Sequence, residues 1–213
     1  MLEKINKDSK KDSRIHPLQL SLDVQNEMED DDWLVFDGGN THFWSEIAVN
    51  ISGWNGKKLA GIMHPGNFSL LGVGVSFGIS VKNLFPEKNV VVISGDGAFL
   101  SGGLSIEAAF QEDLPITVVI DNNGGLDCIS QQQERLFLNG KHFATDFREI
   151  PFHSMFEGLG GYGELVSKRE EIGPALRRAI KSGKTACINV KCKGVISPIV
   201  AATSDKRDKA SIE

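Results

Sequence analysis

Apolar residues along this chain fall into short continuous runs separated by stretches with helical spacing. The runs at 33–36, 58–63, 90–94, 116–121, 162–166 and 185–191 have the length and β-branched content of buried strands. Between them, helices are expected from Pro17 to Met28, after Asn40, over 68–84, 103–112 and 152–159, and over 170–181. Pro17 suits a first helical position, with Leu18, Leu22 and Val24 turned inward. Asn40 or Thr41 is expected to cap the next helix, which carries Phe43, Trp44, Ile47 and Ala48. Strands alternating with helices at this spacing predict an α/β fold: a doubly wound, mostly parallel sheet of about six strands with helices on both faces.

Residues 1–14 and 200–213 are strongly polar and read as tails, leaving 15–199 as one domain. A net charge of −5 provides no basic footprint for nucleic acid. No apolar run approaches the roughly 18 residues of a membrane helix, and no signal-peptide core stands at the N-terminus. Cys128, Cys187 and Cys192 are odd in number and lack metal or redox spacing, so core or surface thiols in a reducing compartment are expected. These features together predict a soluble, cytoplasmic protein.

The chemistry concentrates at two strand ends. Gly95-Asp96-Gly97 closes the third apolar run, and Asn122-Asn123-Gly124-Gly125 closes the fourth, with Asn123 lying 27 positions after Asp96. A carboxylate and a carboxamide thus stand at the C-terminal ends of two strands, where open α/β sheets bind ligands. Both are hard oxygen donors, suited to an octahedral ion that also holds phosphate oxygens, and the flanking glycines allow close backbone approach to an anion. The outline is that of a diphosphate–magnesium site.

This GDG and NN pairing resembles the signature of thiamine diphosphate enzymes. The similarity extends from Arg14-Ile15-His16-Pro17-Leu18 through Asp37-Gly38-Gly39-Asn40-Thr41 and Gly66-Asn67-Phe68-Ser69-Leu70-Leu71-Gly72-Val73-Gly74 to Gly160-Gly161-Tyr162-Gly163-Glu164-Leu165-Val166. These segments resemble the C-terminal diphosphate-binding domain of the acetolactate synthase-like superfamily, 2-hydroxyacyl-CoA lyases included. The resemblance implies magnesium ligands at Asp96, Asn123 and the Gly125 carbonyl. It implies cofactor contacts at Gly39, Asn40, Thr41, Gly95, Gly97, Ala98, Asn123 and Gly125, with backbone N–H groups serving the phosphates. By the same alignment the Ser69 carbonyl and Leu71 N–H meet the pyrimidine, and the Leu71 side chain props the cofactor into its bent, reactive form.

In this family the activating Glu lies on a separate pyrimidine-binding domain, which is not recognisable ahead of Ile15. The resemblance therefore implies a partner chain or domain that supplies it, within a homo- or hetero-oligomer. The expected substrate is a small carbonyl compound or an acyl-CoA, handled by a synthase, a lyase or a split 2-oxoacid decarboxylase. A non-catalytic cofactor-binding assembly subunit is the reading of a different class. His64 reads as a solvated loop histidine or as a proton-steering group on the substrate side, and Asp127 and Cys128 as solvent-exposed or structural residues or as groups facing substrate. His42, His142 and His153 show no recognisable partner, and 131–135 reads as a polar loop or helix start. The Gly72-x-Gly74 and Gly78 run departs from the dinucleotide fingerprint, and close helix–strand packing is expected of it instead.

Overall fold

The computed structural model describes residue 5 and residues 14–136 and 141–202. Its strands are β1 (Trp33–Phe36), β2 (Gly61–Met63), β3 (Val90–Gly95), β4 (Thr117–Asn122), β5 (Tyr162–Val166) and β6 (Ala186–Lys191). They form one parallel sheet in the order β2-β1-β3-β4-β6-β5. The helices are α1 (Pro17–Glu27), α2 (Asn40–Trp54), α3 (Gly74–Leu84), α4 (Asp96–Gly102), α5 (Ile106–Gln111), α6 (Asp127–Leu136), α7 (Phe152–Gly158) and α8 (Ile172–Lys181). The expected doubly wound α/β architecture is the one found.

Parallel strands are covered on both faces, which is why β3 and β4 read as unbroken apolar runs. Alternate side chains divide between two cores. Val91, Ile93, Val119 and Ile188 pack with Leu20 and Val24 of α1 and Leu176 of α8. Val90, Val92, Val118 and Ile120 meet Val75 and Val81 of α3, Ala109 of α5 and Phe156 of α7. A Cβ on Gly78 would sit 2.5 Å from Val92 Cγ2, so that glycine serves close helix–strand packing, as expected.

Several local expectations are corrected. The helix expected over 68–84 begins only at Gly74. Gly66–Phe68 forms a 3₁₀ turn, Ser69 has φ 47° and Gly72 has φ 85°. Two left-handed residues within four positions cannot belong to an α-helix, despite the helical spacing of the apolar residues there. Neither Asn40 nor Thr41 caps α2; its N-cap is Gly39 at φ 83°, with no side-chain bond. At α1 the His16 side chain accepts from the Leu18 N–H at 3.1 Å, and Gln19 reaches back to the His16 N–H. Leu20, Ser21 and Gln25 are buried as well as the expected Leu18, Leu22 and Val24, because α1 is packed between α2 and α8 over one of the two cores.

Of the two readings of 131–135, polar loop or helix start, the helical one holds, although the stretch lies inside α6 rather than at its start. Ile5 packs with Leu18, Leu22 and Trp44, and 198–202 are helical with Val200 buried, so packing runs past the boundaries expected at 14 and 199. The remainder of both polar tails lies outside the described residues. All three cysteines are free, Cys187 and Cys192 buried in the core.

Candidate functional site

The sheet order sends the chain from β1 outward to β2 and then back across to β3 on the other side. The carboxyl ends of β1 and β3 therefore border the crevice where such folds bind ligands. A cavity of about 270 Å³ opens there. Its wall includes every residue singled out by the resemblance: Gly39, Asn40, Thr41, Ser69, Leu71, Gly95, Asp96, Gly97, Ala98, Asn123 and Gly125. Asp127 and Cys128, at the start of α6, complete it together with Leu126 and Ile129.

Asp96 is the first residue of α4 and is buried. One carboxylate oxygen accepts from the Gly97 N–H at 2.7 Å, and the other from the N–H groups of Gly124 and Gly125 at 2.7 and 3.0 Å. The turn after β4 is thereby tied to the end of β3. Burial, and then the neighbouring charge of Asp121, push the Asp96 carboxyl up to about 7 despite those three donors. Burial likewise lifts Asp121 to about 6, although the Thr41 hydroxyl donates to it at 3.0 Å and the Cys192 thiol also donates. Asp127 is raised by burial too. Among the described residues lining the cavity, none is basic.

Two buried oxygens in this region lack any partner: Asn123 Oδ1 and Asp121 Oδ1. A buried acceptor without a donor costs on the order of 1–3 kcal/mol. The site thus presents crowded carboxylates and an orphaned carboxamide oxygen, all hard oxygen donors. This donor set fits a magnesium ion. Of the backbone groups expected to serve phosphates, at Gly97, Ala98 and the Gly39–Asn40 turn, the Gly97 N–H is engaged by Asp96 and the Gly39 N–H by Ser69 Oγ at 2.8 Å.

Sequence reasoning missed two acids. Asp37, at the end of β1, is buried and accepts from the N–H groups of Gly38, Gly72 and Val73 and from the Ser94 hydroxyl. It ties the β1 turn to the 69–73 turn. The resemblance points to Gly39, Asn40 and Thr41 of this turn and not to Asp37, although an acid at a strand end is visible in the sequence. Asp121 carried no signal beyond its place before Asn122-Asn123. Asn122 in turn donates to Asn189 Oδ1 at 2.9 Å, which fixes the Asn-Asn turn on β6.

The histidines are not partnerless, contrary to expectation. His42 Nδ1 lies 3.0 Å from Ser69 Oγ, and its Nε2 lies 3.1 Å from His64 Nδ1 and 3.2 Å from Glu46 Oε1. Burial lowers the His42 pKa, Glu46 pulls it up and His64 adds to the lowering. His142 sits between Glu134 and Asp146, and His153 meets Asn189 at 3.3 Å. The His42–Glu46 pair has i,i+4 spacing on a helix and was open to reading; the contacts of His42 with His64 and Ser69 and of His153 with Asn189 join residues more than 20 positions apart, and no local pattern signals them.

Beyond β6 the chain crosses the start of α2. The Asn40 carboxamide donates to the Val195 carbonyl and accepts from the Ser197 N–H at 2.8 Å, and Trp44 Nε1 donates to Val195 at 2.7 Å. Phe68 is 89% exposed and Leu104 71%. Gly72 and Gly102 are in backbone contact, which brings the segment bearing Phe68, Leu70 and Leu71 beside the end of α4 and the 3₁₀ turn after it, which bear Leu100 and Leu104.

Fold and site together define a cofactor-binding α/β domain of the open-sheet type. The family described as "Thiamine pyrophosphate enzyme, C-terminal TPP binding domain" matches residues 37–190, and the chain belongs to that family. A "Probable acetolactate synthase" of Mycobacterium bovis is 31% identical over 178 residues, 83% of this chain and 31% of the relative. A "2-hydroxyacyl-CoA lyase" of Oryza sativa subsp. japonica is 29% identical over 150 residues, 68% of this chain and 25% of the relative. The chain therefore spans about a third or less of the length of these relatives. A solved thiamine diphosphate-dependent 4-hydroxybenzoylformate decarboxylase from Rhodococcus jostii RHA1 shares the fold, with a TM-score of 0.71 at 22% identity, covering 86% of this chain and 34% of that one. Among the described residues, no helix is long and apolar enough to cross a membrane.

Proposed function

We propose that this chain is the diphosphate-binding half of a thiamine diphosphate enzyme that makes or breaks C–C bonds beside a carbonyl, loaded with magnesium and completed by a pyrimidine-binding domain outside this sequence. The observation that carries the reading is that buried Asp96 and the orphaned Asn123 Oδ1 line the same cavity, on a wall that lacks basic residues. An anionic diphosphate entering such a wall needs a cation between itself and the acids.

Asp96, Asn123 Oδ1 and the Gly125 carbonyl hold the magnesium ion. When bound, the cofactor supplies a nucleophilic carbon and an electron sink for C–C chemistry. Leu71, whose Cδ2 lies 2.8 Å from the position a Cβ on Gly39 would take, stands over the diphosphate turn as the prop for the cofactor. Ser69 and Leu71 offer backbone groups to the pyrimidine. Thr41 holds Asp121 in place behind the metal ligands. The exposed Phe68, Leu70, Leu100 and Leu104 receive the pyrimidine domain, which brings the activating Glu.

Calorimetric titration with thiamine diphosphate tests the metal assignment. Binding is expected with Mg²⁺ and is expected to vanish in EDTA and in Asp96→Ala, whose far-UV spectrum stays native. Unchanged affinity in that variant overturns the assignment. Once the partner is reconstituted, turnover of pyruvate identifies a synthase or decarboxylase and turnover of a 2-hydroxyacyl-CoA identifies a lyase. Failure with both rejects these substrate classes while leaving the cofactor site standing.

A further inference from the structure

His42, Glu46 and His64 form a second cluster, joined to the cavity wall through Ser69. His42 and Glu46 stand four residues apart on α2 and so share one face of it. His64 follows β2, the strand beside β1. Phe36 at the end of β1 lies against both rings, stacked on His64 at 4.9 Å and tilted on His42 at 5.4 Å. Strand pairing and aromatic packing thus bring His64 to the face of α2 that carries His42 and Glu46. A ligand atom from each lies within 4.8 Å of the others.

The distances match a small coordination sphere. A tetrahedral ion with bonds near 2.0–2.1 Å spaces its ligand atoms roughly 3.3 Å apart. Here His42 Nε2 lies 3.1 Å from His64 Nδ1 and 3.2 Å from Glu46 Oε1. A neutral imidazole carries one proton. With that proton on His42 Nδ1, donated to Ser69 Oγ, the lone pairs of His42 Nε2 and Glu46 Oε1 face each other across 3.2 Å, an arrangement that a cation relieves. His64 Nδ1 accepts from the Gly66 N–H at 3.2 Å, a contact that the ion replaces.

We propose that His42, Glu46 and His64 bind a divalent transition-metal ion of the zinc class, at a site separate from Asp96 and Asn123, with a fourth position left for water. Two imidazoles and one carboxylate select Zn²⁺, Co²⁺ or Ni²⁺ over Mg²⁺, which takes oxygen ligands. Ser69 Oγ becomes the outer partner of His42, accepting from Nδ1–H and fixing the ring, as such partners do in metal sites. His42 and Ser69 thereby link the ion to the wall of the cofactor cavity.

The test titrates Zn²⁺ into the EDTA-stripped chain, without thiamine diphosphate and in excess Mg²⁺, against a chromogenic chelator. One equivalent is expected to bind, with affinity reduced at least about tenfold in His42→Gln, Glu46→Gln and His64→Gln. His142→Gln and Cys128→Ser are expected to leave it unchanged. Co²⁺ should give a visible four-coordinate spectrum in the parent chain that His64→Gln abolishes. His64 lies toward the surface, so His64→Gln separates ligand loss from misfolding should His42→Gln fail to fold. Absence of a stoichiometric site overturns the proposal, as does binding that survives His42→Gln or His64→Gln.

Discussion

Asp96 shows how a single side chain holds the tension of the site. Three backbone N–H groups favour its charged form, yet burial and Asp121 outweigh them and raise the carboxyl to about 7. At neutral pH the charge is a cost in the cation-free domain. Asp96→Asn removes the charge, but its NH₂ must face a backbone N–H where a carboxylate oxygen accepted, so without Mg²⁺ the Tm is expected to shift by no more than about 5 °C. Added Mg²⁺ and thiamine diphosphate should stabilise the parent and leave the variant unmoved in scanning calorimetry; equal stabilisation of the two would refute the role. His16 gives the pH signature. Burial, and then Lys193, lower its pKa to about 4, so in the fold it stays neutral while the unfolded chain takes up a proton near 6.5. Its contribution is complete above 6.5 and is lost as pH falls through about 4. His16→Asn keeps a capping side chain that does not titrate, and the drop in Tm between pH 7 and pH 4 should shrink relative to the parent. Asp96 and Asn123 were legible in the sequence because their spacing is itself a pattern. Asp37 and Asp121 were not, because a lone acid at a strand end looks the same whether it faces solvent or binds four donors.

At the scale of elements, the site is a set of turns held against one another. A Cβ on Gly38 would lie 2.2 Å from the Leu70 carbonyl oxygen, so the β1 turn and the 69–71 turn can approach only because that position is glycine. Gly38→Ala must push the two apart, and a loss of about 2 kcal/mol or more in stability is expected, with cofactor affinity falling more than tenfold. Gly53, on α2, has nothing within 4 Å of its would-be Cβ, and Gly53→Ala should stabilise by roughly 0.5–1 kcal/mol. Urea unfolding of the pair checks both; equal effects would mean that the collision at Gly38 is relieved without consequence. The same geometry explains which elements the sequence revealed. The buried strands β3 and β4 declared themselves because both faces are covered. The start of α3 did not, because Leu70, Leu71 and Val73 keep apolar spacing while Ser69 and Gly72 take left-handed conformations that no periodicity encodes. The crossing of 193–197 over α2 was invisible for another reason: it depends on Asn40 and Trp44 meeting backbone more than 150 positions away.

For the whole molecule, the distribution of apolar surface is the remaining argument. Phe68 and Leu104 are 89% and 71% exposed, on segments that the close contact of Gly72 with Gly102 holds side by side. Exposed apolar side chains set together in this way make an apolar rim of the kind that marks interaction surfaces. The proposed function assigns the rim to a pyrimidine-binding domain. Leu104→Glu is then expected to leave Tm and far-UV spectrum near parental values, since the side chain adds little to the core. In native mass spectrometry of the chain co-expressed with a candidate pyrimidine-domain protein, the parent should carry the partner together with magnesium and thiamine diphosphate. The variant should lose the partner, and reconstituted turnover should fall at least tenfold. A self-assembly of this chain that Leu104→Glu dissolves would instead assign the rim to a second copy. Undisturbed assembly with full turnover would show that the rim faces solvent, and the missing carboxylate would have to approach the cavity from another side.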